Sequence, residues 1–194
     1  AYPPPGPHAP PPYSYGASPY LQAPAGYQTH DGFFLRMQLG PCHTTMSSKD
    51  LKISGGGPGF GIALGGVVGG GLVLFGEVLV DMIVNPTLEI NGATMKAGDE
   101  ATASVASVGP GVSYYFPSNF YLTGTLTFSD IELDDGQDSL TLTDTGVGLG
   151  LGVGKEWWVS ANWGLGISAR FHAARMKDTN DGDRTWNSRS FTVA

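Results

Sequence analysis

The chain has 194 residues, enough for one domain of ordinary size. Only 14% of them are charged and 41% are apolar, too little charge for the surface of an ordinary soluble domain. A net charge of −7 argues against a nucleic-acid partner, and a lone cysteine, Cys42, excludes an intrachain disulfide or a cysteine-based zinc site.

Residues 1–30 form a separate compositional block. They contain no Asp, Glu, Lys or Arg, and they hold nine of the 14 prolines. Proline fixes φ and lacks a backbone donor, so this head is expected to be extended and polyproline-II-like. Its tyrosines, among them Tyr2, Tyr13, Tyr15 and Tyr20, make it either a tether or a docking strip for an aromatic-lined groove. Starting at Ala1 without a charged-then-apolar leader, the chain is expected to be an exported product whose signal peptide has been removed.

From Asp31 onward the pattern has period two, the signature of strands with one apolar face. "FFLRMQLG" sets Phe33, Leu35, Met37 and Leu39 against Phe34, Arg36, Gln38 and Gly40. "FGIALGGV" alternates Phe60, Ile62 and Leu64 with Gly61, Ala63 and Gly65. "LVLFGEVLVDM" places Val78, Val80 and Met82 opposite Glu77 and Asp81. "ASVGPGVSYYF" and "FYLTGTLTF" follow, then the two halves of "VGLGLGVGKEWWVSANWGLGISARF", and last "TWNSRSFTVA". These are eight candidate strands of about nine to eleven residues, the length that a tilted strand needs to cross a bilayer.

Gly59–Gly76 is an uncharged run of 18 residues, long enough for a transmembrane helix, but eight of them are glycine. Each glycine costs a helix about 1 kcal/mol, and Gly69–Gly71 reads as a turn, so a hairpin is expected instead. Short connections at Val68–Gly71, Pro117–Asn119 and Gly154–Glu156 alternate with long ones near Cys42–Gly57, Val84–Ala101, Ser129–Ser139 and Ala174–Thr185. Strict short–long alternation is the habit of outer-membrane barrels, with tight periplasmic turns and longer external loops. A soluble up-and-down barrel also alternates, but its small residues would then leave a polar exterior nearly bare. Phe116, Phe120 and Trp157 near the short turns match an interfacial aromatic girdle. In hydrocarbon every backbone group must be paired, so the sheet is expected to close on itself.

With "VGPGVSYYFPSNFYLTGTLTFS" and "LGLGVGKEWWVSANWGLGISARF" in view, the chain resembles the small eight-stranded outer-membrane barrels of Gram-negative bacteria. It is most similar to uncharacterised myxobacterial-type barrel proteins. The resemblance covers about Asp31–Ala194 and implies an all-β, antiparallel, up-and-down transmembrane β-barrel preceded by a Pro/Tyr-rich extension. It also implies a bacterial outer-membrane location and contact with outer-membrane lipid or lipopolysaccharide. Barrels of this kind end on an aromatic residue, whereas this sequence stops at "SFTVA".

On the inner face, Arg36, Glu77, Asp81 and Arg170 are expected to form an ion-pair network, because charges in a narrow lumen are costly unless paired. A narrow channel is the alternative. Two acidic stretches are candidates for divalent-cation binding: Asp130, Glu132, Asp134, Asp135 and Asp138, and then Asp178, Asn180, Asp181 and Asp183. In the second, glycine comes one position too early for an EF-hand, and Asp, Asn and Gly are also ordinary turn residues. His43 with Ser47 or Ser48, and His172, are the only hints of catalysis, and no spacing makes a triad of them. The expected role is non-catalytic and without a cofactor: a structural or interaction protein of the outer membrane. Assembly into an oligomer or filament through the head is a further reading.

Overall fold

The computed structural model describes residues 30, 32–98, 101–134 and 139–194. In chain order the strands are β1 (Phe33–Ser47), β2 (Leu51–Gly69), β3 (Leu72–Val84), β4 (Thr87–Ile90), β5 (Ala93–Lys96) and β6 (Thr102–Tyr115). Then follow β7 (Phe120–Asp134), β8 (Ser139–Thr141), β9 (Gly146–Trp158), β10 (Gly164–Lys177) and β11 (Thr185–Val193). Eight of them, β1, β2, β3, β6, β7, β9, β10 and β11, form an antiparallel up-and-down barrel that closes where β11 meets β1. The Gly59–Gly76 run is the β2–β3 hairpin, turned by Gly69, Gly70 and Gly71, all at positive φ.

The strands are longer than the alternation suggests, reaching 15 residues in β1 and 19 in β2. The stretch expected as a long loop at Cys42–Gly57 is strand except around Ser48–Asp50, because the upper part of β1 zips onto β2 from Cys42↔Gly57 to Ser47↔Lys52. Asp130 and Glu132, expected in a loop, lie on β7, and the connection after Ala174 begins only beyond Lys177. The Val84–Ala101 connection contains the β4–β5 hairpin, which adds to the upper edge of β2 and turns on Asn91 and Gly92, both at positive φ. The third short turn is also displaced. Gly154, Lys155 and Glu156 lie inside β9, and the turn is at Val159–Trp163.

The seam pairs β1 with β11 over Cys42–Ser47 and β10 with β11 from Ala169↔Val193 upward. Below it, Ser168 and Ala194 exchange two backbone hydrogen bonds, and Gln38 Nε2 donates to Ser168 Oγ at 2.8 Å.

Side chains alternate strictly across the wall, and their polarity is inverted relative to a soluble barrel. Met37, Leu39, Leu64, Leu74, Leu122, Leu126, Leu149 and Leu151 all face outward and are exposed. No helix among the described residues is long and apolar enough to cross a membrane; here the strands present the apolar belt. A contiguous belt of this kind is stable only against lipid.

Candidate functional site

The inside of the barrel is built in three layers. At the short-turn end Phe34, Ala63, Val73, Phe75, Tyr115 and Tyr121 form an apolar plug. Tyr115 and Tyr121 stack at 5.1 Å, and Tyr115 Oη donates to Glu156 Oε1 at 2.8 Å. His30, which the sequence pattern assigns to the head, packs under this plug with its ring 3.8 Å from Tyr115 and 4.9 Å from Trp158. Burial lowers its pKa, so the imidazole is neutral and its 3.8 Å approach to Glu156 is packing more than ion pairing.

The middle layer is polar. Arg36 Nη2 lies 3.7 Å from Glu77 Oε1, and its guanidinium sits over Phe34, Phe75 and Tyr121 at 4.9 to 5.6 Å from their centroids. The three rings therefore share the cost of burying the cation. Arg36 Nη1 also donates to Ser113 Oγ at 3.3 Å. Arg170 Nη2 donates to Asp81 Oδ1 at 3.0 Å, and Thr192 Oγ1 donates to the same oxygen at 3.0 Å. The four charged groups are thus brought together as two pairs, one above the other, and each is at most 8% exposed. Around them hydroxyl groups form short chains: Ser107 with Ser129, Thr127 with Ser129, and Thr44 with Ser190.

Above this layer lies a second apolar plug, made by Met46, Ile53, Ile83, Val105, Ile131 and Met176 under Trp186, with Leu51, Leu88, Leu133 and Leu142 against it. Trp186 Nε1 donates to Asp178 Oδ2 at 2.9 Å. Asp178 Oδ1 accepts the backbone N–H groups of Asn180 and Asp181. The indole N–H, helped by those two amides, holds the Asp178 carboxyl below the usual aspartate range. This carboxylate is committed to the loop's own turn.

The other residues singled out from the sequence fall in separate places. Asp130 and Glu132 lie on the outer face of β7, Asp134 ends that strand, and Asp135 and Asp138 lie outside the described residues. Asp181 accepts from the Asp183 backbone N–H. Among the described residues no three His, Cys, Asp or Glu side chains come together to hold a metal ion. His43 and Ser47 both face outward on β1, four residues and so roughly 13 Å apart, too far for a catalytic pair. His172 points inward, with Nε2 2.9 Å from Thr127 Oγ1, walled off from both ends. Tyr2, Tyr13, Tyr15 and Tyr20 lie outside the described residues.

Phe116, Phe120 and Trp157 are exposed at the short-turn end. Lys155 was hidden from sequence reasoning as a turn residue. It lies on the outer face with Nζ 4.5 Å from the Phe120 ring and 5.7 Å from Trp157, its stem along the belt and its charge at the edge. The signal was present: Lys155 falls on the Val147, Leu149, Leu151, Val153 face of a strand with no break before Trp158.

The strand count, the closed seam and the inverted polarity define a small membrane barrel. The chain is similar in fold to Neisserial surface protein A. That match has a TM-score of 0.52 at 19% identity and covers 84% of this chain and 97% of the other. The outer membrane protein OprG from Pseudomonas aeruginosa matches with a TM-score of 0.48 at 11% identity, over 84% and 94% of the two chains. Ail, the attachment invasion locus protein of Yersinia pestis, matches with a TM-score of 0.41 at 10% identity, over 84% and 97%. No protein-family model and no curated protein matches the sequence.

Proposed function

We propose that the chain is a non-catalytic, non-conducting barrel of the bacterial outer membrane that anchors an external platform for contacts. The observation that carries this reading is the filled lumen: a polar layer of two ion pairs lies between an aromatic plug and an aliphatic one. An ion crossing it would have to displace Tyr115 and Tyr121 at one end and Trp186 with Met46 at the other. The platform is the part of the wall that rises past the apolar belt, namely the upper ends of β1 and β2 and the β4–β5 hairpin. All four residues of β5 are exposed, and β5 pairs only with β4 among the described residues, which leaves a free strand edge of the kind that peptide partners extend.

Planar-bilayer recording tests the reading. Wild-type protein should show no current steps above leak, and Tyr115→Gly/Tyr121→Gly paired with Trp186→Gly should introduce them. Discrete steps from wild-type protein at modest voltage would replace the anchor with a channel.

A further inference from the structure

The outer surface carries one feature that neither the lumen nor the platform uses. Between β7 and β11 a groove of about 410 Å³ opens on the lipid side of the wall. Its apolar flank is Leu126, Val147 and Leu149, and its polar rim is Arg175 and Arg189. The groove exists because small residues interrupt the belt. Ala173 sits between Leu149 on β9 and Arg189 on β11, and the wall behind it is Gly148 and Ala174.

The two arginines are diagonal neighbours. Ala173 pairs with Arg189 and Arg175 pairs with Asn187, so the two residues stand about 7–8 Å apart on one face. Two guanidinium groups at that spacing can close on one phosphate from both sides. Both sit where the outward residues stop being apolar. Below Arg175 come Ala173 and Phe171, and below Arg189 come Phe191 and Val193. That is the headgroup level of a bilayer leaflet on the side away from the short turns. Both side chains are exposed, and among the described residues neither has a carboxylate within 4 Å. Of the outward carboxylates at this height, Asp130 and Glu132 stand on β7, two strands from β10, and Asp144, whose backbone N–H bonds to the Lys177 carbonyl, lies beside Lys177, the next outward residue above Arg175. In a chain of net charge −7 this is a local positive site beside an apolar slot.

We infer that the groove binds a phosphorylated lipid of the outer leaflet, with an acyl chain along Leu126, Val147 and Leu149 and the headgroup phosphate clamped by Arg175 and Arg189. An apolar helix or a second copy of the chain would use the slot and leave both arginines facing hydrocarbon, which disfavours them as occupants. The site rests on the belt facing lipid and is independent of whether the lumen conducts.

Native mass spectrometry of the full chain in a neutral detergent tests it, with bis-phosphorylated lipid A as the probe. Wild-type protein should retain one lipid. Arg175→Gln/Arg189→Gln should weaken retention roughly ten- to a hundred-fold, and Ala173→Phe, which fills the slot and keeps both charges, should weaken it as well. Arg184→Gln, in the external loop, should change nothing. Barrel integrity of each variant is read from its strand circular dichroism. Equal retention by the double variant, equal binding of dephosphorylated lipid A, or full displacement by millimolar inorganic phosphate would each overturn the site. A dimer mass abolished by Ala173→Phe would assign the groove to a second copy and overturn it too.

Discussion

Two inner walls of this barrel, β3 and β9, solve the same problem in opposite ways. β3 points Val73, Phe75, Glu77, Leu79, Asp81 and Ile83 inward, a full-sized side chain at every step. β9 points Gly148, Gly150, Gly152 and Gly154 inward. A bare wall could have lined a water path, but the space over it is taken. A β-carbon at Gly150 would run into Thr125, at Gly148 into Thr127, Ala174 and His172, and at Gly154 into the Tyr121 ring. The glycines of β9 therefore make room for residues of β7 and β10, and the volume that β9 gives up is filled by its neighbours. An eight-stranded lumen is just wide enough to be filled by side chains, so large residues on some strands require absent ones on others.

The largest effect is expected on the crowded wall. Asp81→Ala removes the partner of Arg170 and the acceptor of Thr192 while leaving a cation buried. It should cost about 3–5 kcal/mol in urea unfolding from detergent. If Asp81→Ala is nearly neutral, the pair is solvated and the lumen wetter than its contacts indicate. A smaller loss is expected on the bare wall. Gly150→Val should destabilise by about 1–3 kcal/mol through overpacking, and adding Thr125→Ala should restore a good part of it. Without that rescue, the complementarity between β9 and β7 would not be the reason for the glycine. The smallest effect belongs to the outer side of β3: Gly76→Ala meets no atom within 4 Å, so unfolding midpoints should move by about 0.5 kcal/mol or less.

How much of this was readable before the fold was known follows from the range of each signal. Alternation is local, so the lower halves of β1, β2, β3 and β7 stand out from Phe33, Phe60, Leu72 and Phe120 onward. The upper half of β2, "LKISGGGPG", loses alternation to four glycines and a proline and looks like loop. It is held as strand by residues 42–47 of β1, a contact that local pattern cannot report. Acidic residues misled in the same way: Asp130 and Glu132 look like loop residues, but they lie on β7 above the apolar belt, where water meets the wall. Lys155 and Glu156 looked like a turn, yet one lies over Phe120 on the outside and the other meets Tyr115 on the inside. The charges of the lumen were visible as the polar face of their strands, whereas their pairing was not. Arg170 and Asp81 are 89 residues apart and meet only across the closed barrel. His30 offered no pattern at all, since its place is set by the rings of Tyr115 and Trp158.

Cys42 provides the most direct test of a filled lumen, because it is the only thiol in the chain and lies inside, 5% exposed, with Sγ 3.3 Å from the Met82 carbonyl oxygen. It sits between the two plugs, so a water-soluble thiol reagent reaches it only if one of them lets water through. Folded protein in detergent at mildly alkaline pH, treated with a small methanethiosulfonate, should stay unmodified by mass spectrometry while the urea-unfolded chain reacts fully. Rapid labelling of Cys42 in the folded barrel would contradict the account.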